Sequence, residues 1–109
     1  MSKIINIVAT QCNPEVEQKF NKWYNEVHIP MLMKSKQMKG VKRIKVLQPG
    51  ANIPTYLALY EFDSLAELEA YRKGPELAAA RDEMKVTWKD GGYQSVWSAP
   101  YEVLGEWNK

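Results

Sequence analysis

The sequence predicts an α+β fold in which a four-stranded antiparallel sheet carries two helices on one face. Short runs rich in β-branched and aromatic residues alternate with longer runs whose apolar residues recur at steps of three and four. Their order along the chain is strand, helix, strand, strand, helix, strand. The chain has 109 residues, of which 45% are hydrophobic, and we expect residues 1–109 to form a single domain.

The first strand is predicted over residues 3–11, where β-branched residues dominate. Asn13 is a candidate cap for the first helix, and the proline after it suits the first helical position. An apolar stripe at helical spacing follows. Because proline lacks an N–H and clashes with the preceding turn, Pro30 is expected to kink or stop this helix near His28. A looser turn is predicted over 31–36.

The second strand is predicted over 41–48, and the third, which has the clearest alternation in the chain, over 55–62. Ser64 begins a capping box ahead of the second helix. We expect Gly74 and Pro75 to break that helix, since glycine ends helical segments and proline begins them.

The last strand, or pair of strands, is predicted over 94–107, and Pro100 inside it implies an edge position or a bulge. Together the elements give the split βαβ, or ferredoxin-like, arrangement. The sheet face without helices still carries apolar residues. A second copy of the chain is the simplest cover for that face, so a symmetric homodimer is predicted.

Composition argues against several classes of partner. The one basic cluster, between positions 34 and 45, lacks the interleaved aromatic residues that single-strand binders use, so no nucleic acid partner is predicted. The longest apolar run is too short to cross a bilayer, so no membrane partner is predicted. Cys12 is the only cysteine, which favours a cytoplasmic location. With one histidine and one cysteine far apart, neither a metal nor a cofactor is predicted.

His28 is the candidate catalytic residue. It is the only histidine, and it borders the apolar stripe of the first helix. A neutral imidazole in that position can shuttle a proton near pH 7. The alternative is structural, with His28 capping the helix end or bonding a backbone carbonyl. A helix C-terminus favours the charged imidazole, whereas burial opposes it.

Six other residues are candidate substrate contacts. They are Asn6, Trp23, Tyr24, Tyr56, Tyr60 and Trp88. Asn6 is a polar residue inside an apolar strand, and a buried amide needs either a ligand or a structural partner. The tyrosines offer hydroxyls and the tryptophans offer flat walls, but aromatic residues at these spacings also suit an ordinary core. Arg81 and Asp82 are assigned to a solvated helix edge.

The segment from Lys22 to Pro30, Lys-Trp-Tyr-Asn-Glu-Val-His-Ile-Pro, together with Gly40-Val41, resembles the dimeric α+β barrel superfamily. It is most similar to the ethyl tert-butyl ether degradation (EthD) group and its uncharacterised relatives. The stretch 56–64 resembles that group too. The resemblance implies a homodimer whose sheets form a central barrel, with a cleft in each subunit between sheet and helices. It also maps the group's histidine, which helps move protons in related isomerases and cyclases, onto His28.

Two functions follow as hypotheses. The first is a small cofactor-independent enzyme of EthD-like type, which would transfer a proton, as isomerases, cyclases and lyases do, or oxidise its substrate. That substrate would be a small apolar molecule with a carbonyl or an aromatic ring. His28 would move the proton, and Tyr56, Tyr60 or Asn6 would hold the oxygen. The alternative is a non-catalytic binding or accessory protein that uses the same cleft.

Overall fold

The sheet of this computed structural model, which describes residues 3–109, has the strand order β2-β3-β1-β4 with every pairing antiparallel. The strands are β1 (Ile4–Cys12), β2 (Met38–Lys45), β3 (Tyr56–Phe62) and β4 (Tyr93–Glu102). The helices are α1 (Glu17–Trp23), α2 (Ile29–Leu32), α3 (Leu65–Arg72) and α4 (Pro75–Thr87). The predicted ferredoxin-like α+β fold is confirmed. No helix within residues 3–109 has the length and apolarity needed to cross a membrane.

Of the two expectations for this region, a kink or a stop near His28, the stop is wrong, because the helical region continues past Pro30 to Leu32. A π-helical turn, Tyr24–His28, joins α1 to α2, and the N–H of Ile29 donates to the carbonyl of Tyr24 five residues earlier. Pro30 falls in the first turn of α2, where a missing N–H is tolerated. The wider π turn changes the hydrogen-bond register just before the proline, and the chain stays helical to Leu32.

Two other local expectations need correction. The Asn13 side chain makes no capping hydrogen bond; instead its backbone N–H donates to the Gly92 carbonyl at 2.8 Å, and a 3₁₀ turn, Pro14–Val16, precedes α1. The last strand is shorter than predicted and ends at Glu102, since that residue pairs with Ile4 at the very start of β1.

Other sequence signals are confirmed. The Ser64 hydroxyl accepts from the Glu67 N–H at 3.2 Å, and the second helical region breaks at Gly74 between α3 and α4. Pro100 lies in β4, which is an edge strand. The register between β1 and β4 also shifts after Ala9.

The core lies between the helices and one face of the sheet. Alternate residues of β3, namely Tyr56, Ala58, Tyr60 and Phe62, are buried there. Phe20 of α1 is fully buried and packs against a group of aromatic rings. These belong to Trp23, Tyr24, Tyr56, Trp88 and Tyr93. The aromatic richness of the chain is therefore largely core packing.

The opposite face of the sheet carries exposed apolar side chains. Ile44 is 43% exposed, Trp97 40% and Tyr101 52%. Leu57 alternates with the helix-facing residues of β3, so its side chain lies on the far side of the sheet. Ile44 pairs with Leu57 and therefore lies on the same far side. This group, Ile44, Trp97 and Tyr101, is called the open face below.

Candidate functional site

A cleft of 230 Å³ lies between the helix-facing side of the sheet and the helices. Its apolar wall is formed by side chains of β1, α2 and α4. These are Val8, Leu32, Leu77 and Met84. Four of the predicted site residues also line it, namely Asn6, Tyr24, His28 and Tyr60. The structure thus brings together four of the seven candidates, from two strands and the π turn.

His28 is the last residue of the π turn and is only 7% exposed. Its ring stacks on the indole of Trp23, with ring centroids 4.8 Å apart and 24° between the planes. The edge of the Tyr24 ring contacts it from another side, at 4.9 Å between centroids. Its buried Nδ1 has no hydrogen-bond partner among residues 3–109. Nδ1 therefore makes no hydrogen bond to a backbone carbonyl of these residues.

Burial lowers the pKa of His28 from 6.5 to about 4. The Glu83 carboxylate opposes this lowering, and the Arg43 guanidinium adds to it. Desolvation therefore outweighs the opposing charge of Glu83, and the imidazole is neutral at pH 7. A neutral imidazole has one nitrogen with a free lone pair, which can accept a proton or a hydrogen bond.

The hydroxyls of Tyr24 and Tyr60 form a hydrogen-bonded pair at 2.7 Å, and both rings are buried. Burial is the main cause that raises the pKa of both tyrosines, so both keep their protons. Two hydroxyls carry two hydrogens, and their mutual bond uses one of them. The second hydrogen remains available to a molecule in the cleft.

Asn6 lies directly across the β1–β3 ladder from Tyr60. Its buried Oδ1 has no hydrogen-bond partner among the described residues. A buried carbonyl oxygen without a partner is costly, by about 1–3 kcal/mol, unless a bound molecule satisfies it.

The three remaining candidates lie outside the cleft. Trp23 is behind His28, and its Nε1 donates to Glu83 Oε1 at 2.8 Å. The Tyr56 hydroxyl donates to the Glu17 carboxylate and accepts from Asn21 Nδ2 at 3.0 Å. Trp88 lines a neighbouring cavity of 410 Å³.

Arginine is the residue type that sequence reasoning missed. Arg43 donates to Asn21 Oδ1 and Asn25 Oδ1, both at 2.9 Å, and its guanidinium lies 4.3 Å from the centre of the Tyr24 ring. Arg72 and Arg81 line the cleft. Arg81 was assigned to a solvated helix edge; it is exposed, but it also lines the cleft. A signal was present in the sequence, since Arg81 lies four residues after Leu77 and three before Met84, beside the stripe of α4 that faces the core.

A larger depression of 670 Å³ runs along α3. Its lining is Leu65, Ala66, Glu69, Ala70 and Lys73, all from one helix or its end. It is an open surface groove and gathers none of the candidate residues.

Comparison with known proteins gives the family and supports the fold. A family model described as a domain of unknown function (DUF4286) matches residues 3–94. No curated protein matches the chain in sequence. Among solved structures, a hydroxynitrile lyase from Passiflora edulis superposes with a TM-score of 0.72 at 16% identity, covering 97% of each chain.

Two bacterial structures are also similar. An EthD-family protein from Bacillus halodurans has a TM-score of 0.70 at 15% identity, covering 95% of this chain and all of its own. A protein of unknown function from Bacteroides fragilis, described as dimeric with a ferredoxin-like fold, has a TM-score of 0.64 at 20% identity, covering 93% of this chain and 96% of its own. These matches confirm the predicted resemblance to the EthD group at the level of the fold.

Proposed function

The chain belongs to the DUF4286 family of domains of unknown function, and we propose that it is a small cofactor-independent enzyme that moves a proton. Its substrate would be a small molecule with a carbonyl group, bound in the 230 Å³ cleft. His28 would take a proton from the carbon beside the carbonyl and return it, either to the same carbon or to another.

One juxtaposition carries this proposal. His28, whose Nδ1 has no hydrogen-bond partner among residues 3–109, and the Tyr24–Tyr60 pair, which has one spare hydroxyl hydrogen, line the same cleft. The hydroxyl would donate to the carbonyl oxygen of the substrate. Proton abstraction then pushes an electron pair onto that oxygen, and the same hydrogen bond stabilises the negative charge.

The remaining candidates receive supporting roles. Asn6 Oδ1, which also has no partner among residues 3–109, would accept from a hydroxyl or amide hydrogen of the substrate. Trp23 would hold the His28 ring through their stacked contact. Tyr56 and Trp88 receive no role at the substrate, because neither lines the cleft.

The alternative, a binding protein without chemistry, is favoured by one observation. An imidazole with a pKa of about 4 is a weak base. The enzyme proposal therefore needs the bound substrate to make His28 more basic, which the negative charge developing on the oxygen would do. The two functions differ in whether a proton leaves the ligand.

Deuterium exchange tests the proposal. Cyclohexanone, phenylacetaldehyde, γ-butyrolactone and the anionic ketone 4-oxopentanoate would be incubated with the protein in D2O, and the loss of the proton signal beside each carbonyl followed by NMR. We expect faster exchange of at least one compound, loss of that effect in His28→Gln, and a large reduction in Tyr60→Phe. Tyr101→Phe, on the open face, is the matched control and should keep the wild-type rate. An unchanged rate in His28→Gln contradicts the proposal, and no exchange of any compound favours the binding function.

We also propose that the chain forms a homodimer through the open face. The exposed Ile44, Trp97 and Tyr101 support it, since a sheet face of this kind gains free energy when covered. The structure from Bacteroides fragilis, which shares the fold, is described as dimeric.

A further inference from the structure

Arg72 and Arg81 differ from the third arginine of the chain in having no hydrogen-bonding or ion-pairing side chain as a partner among residues 3–109. Arg43 is held by two asparagine oxygens and an aromatic ring. Within residues 3–109, neither Arg72 nor Arg81 makes an ion pair, and neither guanidinium makes a side-chain hydrogen bond. Both line the same cleft. The two unpaired guanidinium groups are thus at the proposed substrate site.

The charged residues that line the cleft are all positive. Its lining contains two arginines and no aspartate or glutamate. Glu83, the carboxylate that acts on His28, does not line the cleft; it accepts hydrogen bonds from Trp23 Nε1 and from the Thr87 hydroxyl. A concave site with two positive charges and no negative charge attracts anions.

Arg72 and Arg81 approach the cleft from different helices. Arg72 is the last residue of α3, and Arg81 lies in α4. Both are exposed, which places their charges at the rim, whereas Tyr60 and His28 are buried. Arg81 is also near enough to Tyr71, another cleft residue, to oppose the effect of burial, which raises the pKa of that tyrosine. The cleft therefore has a cationic rim and a neutral polar interior.

We propose that the cleft selects a substrate that carries a carboxylate. Arg72 and Arg81 bind the carboxylate at the rim, and the carbonyl lies inside, at the Tyr24–Tyr60 pair. The planar guanidinium fork matches the two oxygens of a carboxylate better than other cations do. A volume of 230 Å³, below the range of about 300–1,000 Å³ for drug-sized ligands, limits the substrate to a small keto acid or similar compound. This inference names the substrate class for the proposed function and rests on it.

A pair of probes that differ only in charge tests the inference. 4-Oxopentanoate and its methyl ester share the same ketone, and only the first is an anion. Each would be titrated into the ¹⁵N-labelled protein, and the shifts of the His28 imidazole and of the cleft amides followed by NMR. At low salt we expect the acid to bind about tenfold more tightly than the ester, because charged hydrogen bonds to arginine contribute more than neutral ones. Added NaCl should reduce this preference.

Variants assign the preference to the two arginines. In the double variant Arg72→Gln/Arg81→Gln, the affinity for the acid should fall to that for the ester, while the ester affinity stays unchanged. Lys73→Gln/Lys85→Gln removes the same charge at the end of α3 and within α4, but neither lysine lines the cleft, so the preference should persist. Equal affinity for both probes, no shift with either probe, or a preference that survives in the arginine variant would each overturn the inference.

The preference for the acid is a binding measurement and does not depend on whether the protein catalyses proton exchange. His28→Gln should abolish proton exchange if the proposed function holds, but it should leave the preference for the acid intact. Loss of exchange without any acid preference would therefore refute carboxylate selection alone. Acid preference with exchange unaffected by His28→Gln would refute the proposed catalytic role alone.

Discussion

The indole of Trp23 stacks on the imidazole of His28 at 4.8 Å, and the same indole donates its N–H to Glu83 at 2.8 Å. The Trp23 side chain thus covers one face of the imidazole ring and also hydrogen-bonds to a carboxylate of α4. Because Trp23 covers that face, His28 loses water on one side, while its Nδ1 has no partner in the part of the chain that the structure describes. The acid–base properties of the site depend on this arrangement.

The first prediction concerns pH and stability. The pKa of His28 is about 4 in the folded chain and 6.5 when unfolded, so between these values only the unfolded chain binds the proton. Stability is therefore highest above pH 6.5 and falls as the pH drops through this window, by about 3 kcal/mol at most. Urea unfolding at a series of pH values measures the loss.

The variant His28→Gln is the control for this experiment. It removes the only histidine and keeps a neutral polar side chain, while the carboxylates that titrate at low pH stay the same. As the pH falls from 6.5 to about 4, the free energy of unfolding of the wild type should therefore decrease more than that of the variant. Parallel curves for the two proteins would show that His28 is not buried as a neutral group.

The second prediction concerns Glu83, whose negative charge favours the imidazolium form of His28. Glu83→Gln removes that charge and retains an oxygen that can accept from Trp23 Nε1. The pKa of His28 should consequently fall further, as measured by NMR titration of the single imidazole. Asp82→Asn removes a charge at the adjacent position, where the carboxylate is exposed and 3.9 Å from the Lys85 ammonium, and it should leave the titration unchanged. If the pKa of His28 stays the same in Glu83→Gln, the Glu83 charge does not act on His28.

The third prediction concerns the Tyr24–Tyr60 pair. Tyr60→Phe leaves the Tyr24 hydroxyl buried without its partner, which should cost about 1–3 kcal/mol of unfolding free energy. The double variant Tyr24→Phe/Tyr60→Phe removes both hydroxyls, so it should lose less than the sum of the two single variants. Urea unfolding of the four proteins measures the coupling. Strictly additive losses would mean that the two hydroxyls do not interact.

Most of the fold follows from local signals in the sequence. The alternation in β3, the capping box at Ser64 and the break at Gly74 each depend on neighbouring residues, and each is present in the structure. The continuation of the helix past Pro30 was not predictable in the same way. A proline signals a break, but a change of hydrogen-bond register one turn earlier can absorb it, and only the packing of the whole helix decides between the two.

The site was predictable in its residue types but not in its grouping. Asn6 and Tyr60 face each other because of strand register, which the sequence of either strand alone does not specify. Tyr56 and Tyr60 lie on the same face of β3, yet the first bonds to α1 and only the second reaches the cleft. Spacing gives the face of a strand, whereas the position of the helix above it determines which residue meets a cavity.

The last prediction concerns the open face. Ile44→Lys places a charge on the open face, on the edge strand β2, where the proposed dimer contact would bury it without a partner, so the dimer should dissociate. Val86→Lys is the matched control, since Val86 is more exposed, at 73%, but lies on α4 in the helix layer. Light scattering should give twice the chain mass for wild type and for Val86→Lys, and the single-chain mass for Ile44→Lys. A single-chain mass for wild type, or dissociation by both lysine variants alike, would argue against this face as the contact.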